Sequence, residues 1–274
     1  MLKKVLKIAL CGAVIATTLT ATASNAKKKV LRMGTECASA PYNWSQSTPE
    51  GGAVKIVGSS EYANGYDIII SKLLAESLDM DLEIYKIEWD GLPPAVVTGK
   101  IDGAIASMAI TEKRKLTVDF TVPYYYADVV AIVRRDSPQA KAKCLADLSG
   151  SRATGQINTI TYDKIDQIPG VDKLPPLDTL PAAIVALQSN KCDLVVFDVP
   201  SAQAAEFANP ELMMLTFPEG KGFKTTREDV ECGIAIQKGN TELKEALDSV
   251  LIKLTDEDRK ALMEEAIRKQ PLAQ

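Results

Sequence analysis

Glu36, Arg114 and Asp198 each follow an apolar, strand-like run or the turn just after one, and the 274-residue chain contains no histidine. The planar guanidinium of Arg114 offers paired N–H donors that match the two oxygens of a carboxylate, a match a lysine ammonium does not make. A carboxylate such as Asp198 suits the opposite task of holding a cation. The segment Gly155-Gln156-Ile157-Asn158-Thr159 reads either as a plain loop or as a turn rich in N–H groups ahead of a helix, which would make an anion site. Without histidine there is no His-based triad, no His general base and hardly any route to a catalytic zinc site. The residue types point to charge recognition rather than bond-making, with no metal and no cofactor required.

Arg114 is positioned by the stretch from Trp89 to Tyr126. Pro93 and Pro94 suit the first turn of a helix and Gly99 supplies a left-handed stop, which predicts a helix over about 92–98. Residues 101–108 read as a strand buried on both faces, with Asp102 at its start and Ser107, Met108 and Ala109 at its carboxyl end. Ligands bind at that end of open α/β sheets, and Thr111 is placed to cap the next helix, so Arg114 can reach the cleft. The plan recurs over residues 180–200, with a short helix, Asn190 where Gly99 stood, then Lys, any residue and Asp193, and an apolar strand. Asp102 precedes Ser107 by five residues and Asp193 precedes Asp198 by five, so Ser107 and Asp198 fall at matching points of two similar α/β units.

Elsewhere, residues 30–35 read as a first strand that delivers Glu36 and the aromatics Tyr42 and Trp44 into a loop. Residues 45–62, rich in Ser, Gly, Pro and charge, read as a surface loop or small hairpin. Gly65-Tyr66-Asp67 opens a helix with Asp67 as its cap, residues 82–87 form a strand, and Trp89 leaves that strand toward the cleft. Residues 241–254 and 255–269 are amphipathic helices, the second opened by a Thr255-x-x-Asp258 capping box.

The ordered series Trp89-x-Gly-Leu, Gly99-Lys-Ile-Asp102, Ser107-Met-Ala-Ile-Thr-Glu-Lys-Arg114, Asp119-Phe and Pro123-Tyr-Tyr resembles the periplasmic-type solute-binding proteins of polar amino-acid ABC importers, bacterial extracellular family 3. The likeness runs over nearly the whole chain after its first segment. It implies an α/β, two-lobed periplasmic-binding-protein fold of type II, with a ligand cleft between lobes joined by two crossings. Lobe 1 would comprise residues 27–125 plus 231–274 and lobe 2 residues 129–226, with hinges about 124–128 and 226–231. The partners implied are an amino-acid ligand and a membrane ABC permease, and the protein would act as a monomer.

On this resemblance Arg114 takes the carboxylate of an α-amino acid, assisted by backbone N–H groups near Ala109 and Thr159. Asp198, with the Ser107 carbonyl, takes the ammonium. Met108, Gln156 and Asn158 belong to the same cleft segments. Relatives usually carry glycine at the position of Asn158, and asparagine is the best substitute where positive φ is needed. Glu36 matches the family's acid, but Ser39 stands where an aromatic is usual, so Tyr42 or Trp44 would have to supply that wall beside Trp89. An ordinary packed aromatic is the more frequent state for either. A buried Glu36 carboxylate rejects another anion, which favours a basic ligand side chain, arginine or lysine, with glutamine next. The bland roles are a surface salt bridge for Arg114, a helix cap for Asp198 and a local turn for Glu36. Two other functions compete: a dehydratase of prephenate-like acids on the same fold, using Glu36 and Arg114, and a ligand-sensing ectodomain that works with a separate partner.

Residues 1–26 carry Lys3, Lys4 and Lys7, an apolar run over 5–19 and small residues at 24–26, the pattern of a secretory signal peptide. The run falls short of the roughly 20 residues a membrane span needs, and Leu10 before Cys11 disfavours lipid attachment. A periplasmic or extracytoplasmic location follows. Removing this segment, with its three lysines and no acids, takes the formal charge from -4 to -7. An acidic protein does not suggest nucleic-acid or membrane-surface binding. Of Cys37, Cys144, Cys192 and Cys232, all but the first lie in or beside apolar runs, where a free buried thiol is the commoner state. Cys144 with Cys192 is the first candidate for a bridge.

Overall fold

The computed structural model describes residues 28–271, so the signal-peptide segment lies outside the described residues. Two five-stranded sheets carry the chain. The first runs Asp81–Lys86, Val30–Thr35, Gly103–Ala104, Ala235–Gln237, Val118–Phe120. Its first three strands are parallel, and Ala235–Gln237 is antiparallel to both neighbours. The second runs Asp172–Lys173, Arg152–Thr154, Leu194–Asp198, Val129–Arg134, Leu212–Leu215 on the same plan, with Val129–Arg134 antiparallel to both neighbours. In each sheet the antiparallel strand arrives from the other sheet's part of the chain. Between them Tyr125–Tyr126 pairs with Glu231–Cys232 as a two-stranded ribbon.

The strands are apolar on both sides because both faces are covered. In Leu194–Asp198, Leu194 and Val196 enter one core and Val195 and Phe197 the other. Beneath the first sheet, Leu31, Met33 and Ile84 pack on Ile68 and Leu74 of helix Tyr66–Ser77 and on Leu247 of helix Thr241–Leu251.

The internal repeat is carried by a shared fastening. Arg32 donates its backbone N–H, Nε and Nη2 to Asp102 at 2.8, 3.1 and 2.6 Å, and Nη1 to the Gly99 carbonyl at 2.9 Å. Arg152 does the same in the second unit, with 2.8, 3.1 and 2.8 Å to Asp193 and 3.0 Å to the Asn190 carbonyl. Gly99 and Asn190 both sit at positive φ, +70° and +60°, and turn the chain from helix Leu92–Val97 or Leu180–Gln188 back into the sheet. Each aspartate thus fixes the start of a strand whose far end lies in the cleft.

Several expectations are corrected. Ladder pairing over 101–108 is confined to Gly103–Ala104, because the backbone leaves the sheet and reaches positive φ (+47°) at Ser107. Asp67 is not a cap: Gly65 occupies that position, at φ +121°, where a Cβ would lie 2.3 Å from the Tyr42 carbonyl oxygen. Residues 45–62 include the small hairpin expected as one alternative, Val54–Lys55 against Tyr62–Asn64, within a four-stranded sheet whose order is Ala38–Ser39, Asn43–Gln46, Tyr62–Asn64, Val54–Lys55. The helix from Thr241 ends at Leu251, while helix Asp256–Lys269 has the expected Thr255 and Asp258 capping box. All four described cysteines are free: Cys37, Cys192 and Cys232 are buried, and Cys144 serves with Asp147 as a helix cap instead of bridging Cys192. Among the described residues no helix is long and apolar enough to cross a membrane.

Candidate ligand-binding site

Thr111 accepts from the Arg114 backbone N–H at 3.2 Å and starts the short helix Glu112–Lys115, which fixes where the arginine side chain leaves the backbone. That side chain turns inward. Nη1 donates to the Ala109 carbonyl at 2.8 Å, Nη2 donates to the Asn158 carbonyl of the other sheet's turn at 3.0 Å, and the guanidinium lies 5.4 Å from the centre of the Trp89 ring. Two of its five N–H donors are thereby committed to neutral carbonyls, so the charge has no carboxylate partner among its hydrogen bonds in the described structure. Burial lowers the Arg114 pKa from its ordinary value, but an arginine stays cationic at any physiological pH.

Asp198 comes from the opposite sheet. Its Oδ1 accepts from the Ser201 N–H at 2.9 Å and its Oδ2 from the Ser201 hydroxyl at 2.9 Å, so it does cap helix Val199–Ala208. It also accepts from the Tyr42 hydroxyl at 3.3 Å and faces the same cavity as Arg114. The cap role and a cleft position are therefore compatible. Burial raises its carboxyl above the usual range.

One cavity of about 60 Å³ is lined by Trp89, Ser107, Ala109 and Arg114 from one side and by Gln156, Thr159 and Asp198 from the other. An adjoining space of about 530 Å³ shares Trp89, Arg114 and Thr159 and adds Met108 and Asn158. Asn158 adopts φ +56°, a conformation that glycine and asparagine take most readily, and its side-chain amide donates to Asp90 at 2.8 Å across the cleft. Thr159 caps helix Ile160–Asp163.

Three expected residues lie elsewhere. Trp44 belongs to the small sheet, where it pairs with Ala38 and Asn64 and its ring N–H donates to Gln46 at 3.1 Å. Tyr42 is fully buried edge-on against Tyr66 and Tyr125, and only its hydroxyl meets the site, through Asp198. Glu36 is buried behind the wall and accepts from Ser39 Oγ at 2.8 Å and from Gln156 Nε2 at 3.0 Å. Ser39, unlike Glu36, is itself a lining residue. Both partners of Glu36 are neutral, and burial raises its carboxyl above the ordinary value.

Residues missed from sequence also line the cavity, among them Phe197, Leu180, Cys232 and Asp229. Asp229 pairs with Lys164 at 2.6 Å. Phe197 was detectable as the neighbour of Asp198, but nothing local marks Cys232 or Asp229. The described residues hold no group of three or more acids and thiols arranged for a metal ion.

Two α/β lobes, a ribbon between them, and oppositely charged groups meeting from both sides define a type II periplasmic-binding-protein fold with a ligand cleft. Residues 31–267 match the bacterial extracellular solute-binding proteins, family 3, and the chain belongs to that family. It is 30% identical over 245 residues to the L-arginine-binding protein of Pseudomonas aeruginosa, covering 86% of each chain. It is 30% identical over 199 residues to ABC transporter arginine-binding protein 1 of Escherichia coli, covering 71% of this chain and 77% of that one. Among solved structures it resembles an amino acid ABC transporter substrate-binding protein from Streptococcus pneumoniae bound to L-arginine, with a TM-score of 0.75 and 27% identity, covering 87% of this chain and 94% of that one. The family consists of solute-binding proteins rather than enzymes.

Proposed function

We propose that this protein captures a polar L-amino acid outside the cytoplasm, preferably arginine or lysine and next glutamine, and delivers it to the membrane permease of an ABC importer. The observation that carries the reading is the meeting of Arg114 and Asp198 at one cavity from opposite sheets. An α-amino acid carries an anion and a cation one carbon apart, and a guanidinium and a carboxylate across a narrow cleft answer both. Arg114 clamps the carboxylate with backbone N–H groups near Ala109 and Thr159, and Asp198 with the Ser107 carbonyl holds the ammonium. The preference for a basic side chain is supported by Trp89, by the Glu36 carboxylate that only neutral groups accompany, and by the arginine-binding relatives. The chain up to about residue 125 together with 231 onward forms one lobe and 129–226 the other, with hinges about 124–128 and 226–231. The protein works as a monomer, exported by its amino-terminal segment. Thermal melts of the mature protein against the twenty amino acids test the reading, since a ligand bound only by the folded state raises the melting temperature. Arginine or lysine should give the largest rise, and no rise with any amino acid would end the proposal.

A further inference from the structure

Ser107 is a serine held in left-handed backbone, φ +47°, at the point where its chain segment enters the cavity. That conformation persists in a non-glycine residue only when the surroundings impose it. Its backbone N–H donates to the Tyr124 hydroxyl oxygen at 2.8 Å, and that hydroxyl donates to Asp67 Oδ1 at 2.8 Å. Asp67 Oδ2 accepts from the Asn43 amide at 2.7 Å. The direction of this chain is forced. A backbone N–H can only donate, so the phenol oxygen must accept from it and pass its single proton to the carboxylate.

Every member past Ser107 is fixed in the core. Tyr124 and Asp67 are fully buried, the Tyr124 ring stacks on Tyr66 with centroids 5.9 Å apart, and the Tyr66 hydroxyl donates to the Tyr124 carbonyl at 2.9 Å. The Tyr124 N–H donates to the Cys232 carbonyl at 2.9 Å, next to the ribbon that joins the sheets. A helix residue, a residue beside the ribbon and a cavity residue are thus joined in one line. Nothing about forming the helix Tyr66–Ser77 requires a buried aspartate at position 67.

We propose that Asp67, acting through the Tyr124 hydroxyl, is a positioning residue that holds the Ser107 backbone in its left-handed form and so sets the affinity of the cavity for its ligand. This rests on the amino-acid reading above. What the line needs from residue 67 is an acceptor for the Tyr124 proton. An amide can serve as well once the Asn43 amide turns over, which replaces its NH₂ donor opposite Oδ2 with the otherwise unpartnered Oδ1 as acceptor for the new NH₂ group.

The test is calorimetric titration of arginine, lysine and glutamine into wild type, Tyr124→Phe, Asp67→Leu and Asp67→Asn, with hydrogen exchange of the Ser107 amide followed in each. Tyr124→Phe keeps the ring and loses the acceptor, leaving the half-buried Ser107 N–H without the partner that holds it, so affinity should fall by roughly tenfold or more. Asp67→Leu should do the same, while Asp67→Asn should stay within about threefold of wild type, since a polar partner is retained. Exchange at Ser107 should quicken by roughly tenfold or more in the first two variants and not in the third. Wild-type affinity in Tyr124→Phe overturns the inference, as does equal loss in Asp67→Asn and Asp67→Leu. Should wild type bind no amino acid, the parent reading fails separately, and unchanged Ser107 exchange in Tyr124→Phe then overturns the positioning role on its own. If Asp67→Leu does not fold, Tyr124→Phe and Asp67→Asn still decide it.

Discussion

Gln156 donates its side-chain amide to the buried Glu36 carboxylate at 3.0 Å, a bond between the loop after the first strand of one sheet and the turn after a strand of the other. A carboxylate with only neutral partners projects its negative field into the adjoining cavity, and both of its partners, Ser39 and Gln156, line that cavity.

Ligand preference should follow that field. In wild type, arginine or lysine should bind roughly tenfold or more tightly than glutamate, and Glu36→Gln should narrow the margin by about as much, because hydrogen bonding is kept while the charge is removed. Titrating arginine, lysine, glutamine and glutamate into both proteins checks this. A ranking untouched by the substitution would place specificity elsewhere, with Trp89 the next residue to examine.

Arg114 should matter far more than its neighbour Lys113, which is exposed. Arg114→Ala removes the cation that faces a ligand carboxylate in a desolvated cleft, at a cost of roughly 3 to 5 kcal/mol in binding, while Lys113→Ala should cost about 0 to 1 kcal/mol. Calorimetry on the two variants measures the difference. Comparable losses would mean that Arg114 is not the carboxylate clamp.

Ligand should draw the lobes together. Gln156–Glu36, Tyr42–Asp198 and Asn158–Asp90 all cross the cleft, so a ligand that bridges Arg114 and Asp198 favours the conformation in which these bonds form. Solution scattering should give a smaller radius of gyration with saturating ligand than without. Asn158→Gly keeps the positive φ, removes one crossing bond and should weaken closure by about 1 kcal/mol. An identical scattering profile with and without ligand would remove the hinge from the mechanism.

Burial pushes the Asp67 carboxyl from an ordinary 3.8 up to about 7. A raised folded-state value means that the protonated form suits the fold, so this contribution to stability is complete below about pH 4 and is lost as pH rises through about 7. Wild type should therefore gain stability relative to Asp67→Asn on acidification across that window, by on the order of 4 kcal/mol. Urea midpoints of the two proteins at a series of pH values provide the comparison. A difference that stays flat with pH would show that Asp67 is ionised throughout.

The sequence by itself determined what depends on neighbours a few residues apart. Thr111 caps the turn that carries Arg114, Gly99 and Asn190 end matching helices, and Asn158 takes the positive φ its turn needs, because capping and backbone preference act within one turn of chain. The spacing of Asp102 from Ser107 and of Asp193 from Asp198 likewise exposed two equivalent units. Tertiary structure alone decided the partners. Arg32 meets Asp102 across 70 residues, Tyr124 meets Asp67 across 57 and Gln156 meets Glu36 across 120. A polar side chain buried on folding must find whichever donor or acceptor the packed chain brings to it, and no local rule ranks candidates that far apart. The same reason moved Asp67 from helix cap to core and set Glu36 behind Ser39, while Trp44 was taken by cross-strand pairing in the small sheet.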